Sequence, residues 1–281
     1  MSTQHTAIQY STTNGEIVQA RVLQYDVQGE GEPLVLVPGG LTGWLSWIPH
    51  VERLSGTRTT IRVQPIHNEL GSAGRPGEPG YTAETERESL RLTLDRLGID
   101  VADFAGWSGG GRALLEFVLA YPDRVRTLTL IEPAAHWILE QLGEHGADID
   151  QGNELIHRFS GQDVTDDDLA EFLRLAGMVQ PGEDARQHPL WDRWLPHRMA
   201  LSWQSEELDR SDRSVDELVN ITCPALLVHG DVTTELDKRV VDVLAERLPN
   251  ATLVELPGDH AAHIQSIDAF LEALESHLAT V

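Results

Sequence analysis

Two hydrophobic patterns take turns along the chain. Short, nearly continuous apolar runs of strand length occur at residues 34–37, 59–63, 101–107, 127–131, 224–229 and 251–256. Between them lie segments whose apolar residues recur three and four positions apart. One is 82–97, which carries Leu90, Leu94 and Leu97 and ends at Gly98; others are 109–121, stopped by Pro122, then 236–248 and 267–278. Runs of the first kind suit strands covered on both faces, and segments of the second kind suit amphipathic helices. Their regular alternation predicts an α/β architecture built on a doubly wound parallel sheet. Residues 16–27 alternate only partly and predict an antiparallel edge strand or hairpin. Residues 29–33 predict a turn, and the Gly- and Pro-rich stretch 64–80 predicts a loop.

One region breaks the alternation. Residues 135–215 hold helical patterns and no convincing strand, and the stretch is too long for an ordinary loop. Within it Thr165, followed by three aspartates, predicts the cap of a helix carrying Leu169, Phe172, Leu173 and Leu175. The expected organisation is a core of residues 1–134 and 216–281 with a helical cap, 135–215, inserted between them.

Composition narrows the function classes. Hydrophobic residues make up 41% of the 281 positions and charged residues 23%, which excludes a disordered chain. No run approaches the roughly 20 apolar residues of a membrane span, and the first ten residues do not read as a secretory signal. The formal charge of −24 repels phosphate backbones and anionic membranes, so the expected partner is a small molecule rather than nucleic acid or a membrane. A single cysteine, Cys223, excludes an intrachain disulfide framework and a cysteine-based zinc site. Of the twelve histidines only His260 and His263 have a ligand-like spacing, and no metal site is expected. These features predict a cytoplasmic protein. They leave the oligomeric state open.

Candidate chemistry concentrates at Gly106-Trp107-Ser108-Gly109-Gly110, a G-x-S-x-G match at a predicted strand–helix junction. A tight turn there lifts the serine oxygen above the C-terminal edge of the sheet, next to a helix N-terminus that favours developing negative charge. A serine hydroxyl needs a base to take its proton. His260, just past the last predicted strand, is the expected base, with His263 as the alternative. Two backbone amides should hold an oxyanion: that of Gly109, and that of Gly40 in the Pro38-Gly39-Gly40 turn after the first buried strand.

These marks together resemble the α/β-hydrolase family, and the resemblance spans almost the whole chain. It implies a mostly parallel eight-stranded sheet flanked by helices, a helical cap, a Ser-His-acid site and no cofactor. A serine at the turn argues against haloalkane dehalogenases and epoxide hydrolases, which place an aspartate there. The chain departs from the family pattern at the acid. The usual position, three residues after the glycine that ends its strand, is Thr233, which cannot carry the charge. Asp231 lies nearby, and Glu235 and Asp237 lie further on. Glu132, at the end of the preceding buried strand, is the preferred acid, because a carboxylate there is costly unless paired; Asp231 is the alternative.

Leu41, Trp44, Trp107, Trp137, Trp191 and Trp194 cluster near the predicted site and are expected to line an apolar pocket. The expected activity is hydrolysis of a carboxylic ester, thioester or lactone of an apolar small molecule through an acyl-enzyme. Carbon–carbon bond hydrolysis, perhydrolysis or hydroxynitrile cleavage on the same residues is the alternative, and a non-catalytic ligand-binding module a further one.

Overall fold

A computed structural model describes residues 8–11, 17–144, 146–180 and 182–281. Its main sheet has seven strands: β3 (Gln24–Gln28), β4 (Pro33–Val37), β5 (Thr59–Gln64), β6 (Ala102–Trp107), β7 (Val125–Ile131), β8 (Ala225–Gly230) and β9 (Ala251–Leu256). Their spatial order is β3-β5-β4-β6-β7-β8-β9, with every pair parallel except β3 against β5. β1 (Ile8–Ser11) and β2 (Ile17–Ala20) pair only with each other.

The expected eight-stranded sheet is therefore corrected to seven strands. After β2 the chain leaves strand pairing and docks on a helix instead. The Arg21 amide donates to Ser89 Oγ at 3.2 Å and the Leu23 amide to Thr93 Oγ1 at 2.9 Å. Of the 16–27 stretch only residues 24–27 reach the main sheet, within its antiparallel edge strand β3.

Helices cover both faces. They are α1 (Ile48–Leu54), α2 (Ile66–Ser72), α3 (Ala83–Leu97) and α4 (Gly109–Ala120). Between β7 and β8 come α5 (Trp137–Gln141), α6 (Ala147–Phe159), α7 (Asp166–Leu175), α8 (Trp191–Trp194), a 3₁₀ segment (Leu195–Trp203) and α9 (Glu206–Asp209). The chain closes with α10 (Glu235–Arg247), α11 (Ala262–Gln265) and α12 (Ile267–Leu278). Among the described residues 135–215 there is no strand. Local chemistry sets several ends: Thr82 and Thr165 each close a capping box, and Gly98 ends α3 at φ 69°. α2 corrects the expected 64–80 loop. It is a helix because Ile66, His67 and Asn68 are buried and Gly71 lies against the backbone of Ala200, where a Cβ would sit 2.3 Å from the Ala200 Cα.

β4 explains why its run is continuously apolar. Val35 and Val37 face a core shared with Leu90, Leu94, Leu114 and Phe117, while Leu34 and Leu36 face another with Trp47, Leu54, Phe270 and Leu274. The second core also takes Phe159, Leu169, Leu173, Trp191 and Trp194, so the helical segment after β7 packs onto the sheet's own core.

At one corner of that core two histidines are fully buried. The rings of His50 and His263 stack with centroids 5.4 Å apart, enclosed by Trp47, Trp107 and Phe270. His50 Nε2 donates to the His263 carbonyl at 3.0 Å, and neither His263 ring nitrogen has a hydrogen-bond partner among the described residues. Burial pushes His50 down to about 4 and His263 well below its ordinary value. The unfolded chain takes up these protons near pH 6.5 and the folded chain does not. Their contribution is therefore complete above pH 6.5 and is lost as the pH falls towards 4 and below. Thermal unfolding should show Tm falling between pH 7 and pH 5, and His263→Phe should flatten that slope. An unchanged slope in His263→Phe contradicts the assignment.

Candidate active site

The chain order places a gap at the C-terminal edge of the sheet. From β4 it moves outward to β5, and β6 then starts on β4's other side, so the loops after β4 and β6 diverge. Gly40 follows β4 and Ser108 follows β6. Ser108 is one of two non-glycine residues with positive φ among those described, at φ 53° and ψ −121°. Such backbone is strained and persists only where its surroundings fix it. Here the Ser108 amide donates to the Ile131 carbonyl at 2.9 Å, and its carbonyl accepts from the amides of Arg112 and Ala134, each at 3.1 Å.

Glycine makes the turn possible by allowing close approach. A Cβ on Gly106 would lie 2.8 Å from the Gly110 carbonyl oxygen, and one on Gly110 would lie 2.4 Å from that of Val37. Gly109 is different: its nearest neighbour would be the Gly40 amide nitrogen, at 3.8 Å. The two candidate oxyanion amides thus belong to adjacent residues on either side of the gap. Both glycines line one cavity with Ser108 and His260.

The other residue with positive φ is Glu132, at 39°. Its carboxylate is almost fully buried and accepts three hydrogen bonds. The Gly230 amide donates to Oε1 at 2.7 Å, the Thr233 hydroxyl to Oε2 at 2.7 Å, and His260 Nδ1 to Oε2 at 2.6 Å. Because the partner is an acceptor, the Nδ1 proton is fixed and Nε2 is left as the free lone pair of the neutral ring. Trp107 supports the loop from below, its Nε1 donating to the His260 carbonyl at 2.8 Å.

A second carboxylate stands on the same side of the imidazole. Asp237 Oδ2 lies 3.7 Å from His260 Nδ1 and is itself buried. Burial alone would lower the His260 pKa, but Asp237 and Glu132 outweigh it and raise it to about 9. Glu132, Asp237 and His260 offer ligand atoms within 4.8 Å of one another, the one such cluster among the described residues. His260 Nδ1 is already committed to Glu132.

A family model described as alpha/beta hydrolase fold matches residues 32–267. The chain belongs to this family. Among its alpha/beta hydrolase relatives, the 2-hydroxymuconate semialdehyde hydrolase of Pseudomonas putida is 28% identical over 266 residues, covering 90% of this chain and 89% of that one. A pimeloyl-[acyl-carrier protein] methyl ester esterase of Chromobacterium violaceum is 25% identical over 260 residues, covering 90% and 96%. The solved esterase of Exiguobacterium antarcticum superposes with a TM-score of 0.73 at 19% identity, covering 98% of this chain and all of that one. The structural likeness extends to the fold.

Within this alpha/beta hydrolase frame two alternatives named from the sequence fall elsewhere. Asp231 is exposed, and its Oδ1 accepts the Gly258 amide at 2.8 Å, tying the loop after β8 to the loop carrying His260. His263 is enclosed among aromatic rings and does not line the Ser108 cavity.

The expected pocket lining is corrected. None of Leu41, Trp44, Trp107, Trp137, Trp191 and Trp194 lines the Ser108 cavity, which holds about 270 Å³. Leu41 and Trp191 are buried in the core, and Trp44 carries Arg62 over its ring. Trp137 borders a separate hollow, while Trp107 and Trp194 border another. Large rings bury the most area by packing helices onto loops, and that use prevails here. The apolar wall comes instead from Leu155, Ile156 and Phe159 of α6, Phe172 and Leu175 of α7, and Leu236. The polar lining includes Arg112, His136, Gln204 and Asp209, which sequence reasoning missed. Arg112 carried a signal: with Glu116 it is one of two charges in a helix whose other residues are apolar or glycine, so it must be buried and paired, and it ion-pairs with Glu86 and Asp209 at 2.9 and 2.8 Å.

The glycine geometry yields a contrast within one turn. Gly110→Ala should destabilise the fold by about 2 kcal/mol or more, because its Cβ meets backbone that cannot yield. Gly109→Ala, whose Cβ would meet nothing closer than 3.8 Å, should cost under about 1 kcal/mol. Urea unfolding of the two variants checks this; equal losses would contradict it.

Proposed function

We propose that this protein is a serine hydrolase that cleaves a carboxylic ester, thioester or lactone of an apolar small molecule. The observation carrying the proposal is the Glu132–His260 pair, set at the edge of the one cavity that also holds the strained Ser108 and the Gly40 and Gly109 amides. In this account Ser108 Oγ attacks the carbonyl carbon while its proton passes to His260 Nε2. Glu132 stabilises the resulting imidazolium. The oxyanion accepts hydrogen bonds from Gly40 and Gly109, each such donor being worth about 10²–10³ in rate. The carbon–leaving-group bond then breaks and His260 returns the proton to the departing atom. Water repeats the attack on the acyl-enzyme, losing its proton to His260, and Ser108 is regenerated.

The substrate's apolar part fits against Leu155, Ile156, Phe159, Phe172 and Leu175, so residues 135–215 act as the cap that closes the site. Such a hydrolase needs no cofactor. No helix of the described residues is long and apolar enough to cross a membrane. Carbon–carbon bond hydrolysis is a second reading, supported by the likeness to the Pseudomonas putida semialdehyde hydrolase. A panel of short- and medium-chain acyl esters beside a vinylogous 1,5-diketone separates the two.

Intact mass after incubation with a fluorophosphonate tests the nucleophile. One adduct is expected on the native chain and none on Ser108→Ala; no adduct on either, or equal labelling of both, overturns the proposal. The acting form of His260 is the neutral ring, so protonation below its pKa suppresses reaction. The labelling rate should therefore rise with pH and reach half its plateau near pH 9.

A further inference from the structure

Thr234, His136 and Asp237 meet beside the candidate base without belonging to the Ser-His-acid set. Asp237 sits in the first turn of α10, and its Oδ2 accepts the Thr234 hydroxyl at 2.6 Å. The same oxygen is 3.7 Å from His260 Nδ1, and Oδ1 is 3.9 Å from His136 Nε2. Asp237, His136 and His260 all line the Ser108 cavity. A buried carboxylate costs several kcal/mol unless a positive or hydrogen-bonding group answers it. The Thr234 hydroxyl answers one oxygen. The remaining charge is answered first by the ring of His260 and then by that of His136.

We propose that Asp237 is a second carboxylate for His260, a positioning residue that sets the basicity of the imidazole alongside Glu132 and partly replaces Glu132 when that residue is lost. The proposal rests on His260 being the base of the hydrolase. Glu132 takes the Nδ1 proton directly and fixes the ring's orientation. Asp237, one shell of distance further out, contributes charge without a competing hydrogen bond. Of the other groups facing the ring, Asp259 in the same loop also raises the imidazole pKa, but less than Asp237 and Glu132 do, and its oxygens are taken by the Ala261 amide at 2.8 Å and the Gln265 side chain at 2.7 Å. His263 on α11 is held neutral by burial. Arg112 of α4 and Asp209 of α9 pair with each other at 2.8 Å in the cavity lining. His136 extends the arrangement to the cavity wall, where a protonated ring would pair with Asp237.

The test reads His260 directly and needs no substrate. The protein is labelled with ¹³C at the histidine Cε1 positions, and the His260 signal is assigned by its absence in His260→Gln. Titration should place His260 near pH 9 in the native chain, and Asp237→Asn should lower it by at least about one unit. Asp237→Glu should restore most of the shift. A change under about 0.3 units in Asp237→Asn overturns the proposal. If the amide variant does not fold, Asp237→Ser is titrated in its place under the same criterion, since it also removes the charge from beside the ring. Fluorophosphonate labelling adds the second arm. Glu132→Gln should keep a slow residual rate, and adding Asp237→Asn should lower it a further tenfold or more. Equal rates in the single and double variants contradict the replacement role. Loss of all labelling in the native chain, with the titration result intact, would instead count against the hydrolase itself.

Discussion

A carboxylate buried at the end of β7 must find donors, and the C-terminal edge of this sheet is arranged around that requirement. Glu132 draws one donor from the end of β8, one from the loop that follows it, and one from the loop after β9. Three separate segments are thereby tied to one pair of oxygens. Its own backbone pays with a left-handed conformation, held by the Glu132 amide donating to the Val228 carbonyl at 3.0 Å. Without the carboxylate, the buried Gly230 amide and the His260 ring would each lose a partner, at about 1–3 kcal/mol apiece.

The second constraint is distance between backbones. β4 and β6 are neighbours, and α4 begins directly against the end of β4, an approach that only glycine at position 110 allows. That approach brings the Gly40 amide nitrogen to 3.8 Å from where a Cβ on Gly109, the residue after Ser108, would sit. The two strained residues, Ser108 and Glu132, are coupled through the sheet, because Ser108 hydrogen-bonds to Ile131, the residue before Glu132. The candidate nucleophile and the candidate acid are thus set by adjacent strand ends, and the ring between them is delivered by the loop after β9.

The sequence made the strand ends legible because apolar runs stop where the chemistry starts. Ser108, His260, Gly40 and Gly109 could be named from motif and position, and the structure brings these four to one cavity. Glu132 was named from the cost of a carboxylate at a buried strand end, and the structure sets it against His260. Thr233 was read only as unable to be the acid; its hydroxyl donates to a carboxylate oxygen of the candidate acid, Glu132, a role that local pattern does not encode. Asp237 was one of several carboxylates downstream of β8. Only the helical turn of α10 points it at the ring. The cavity wall was the least legible part. Tryptophans near the motif in sequence went into helix-on-loop packing, and α6 and α7, remote in sequence, supplied the lining. The eighth strand failed for a related reason: hydroxyls of Ser89 and Thr93 took amides that a sheet edge would have used.

The central claim is that the candidate imidazole is held from the end of β7 and not from the loop after β8. Comparing kcat/KM of Glu132→Gln with Asp231→Asn on a hydrolysed ester tests it most directly. Glu132→Gln should lose about 10³–10⁴ in rate, as expected when the ring loses the acceptor that fixes its tautomer. Asp231→Asn should stay within a few-fold of the native chain. Near-normal turnover in Glu132→Gln, with a loss of orders of magnitude in Asp231→Asn, would contradict the account.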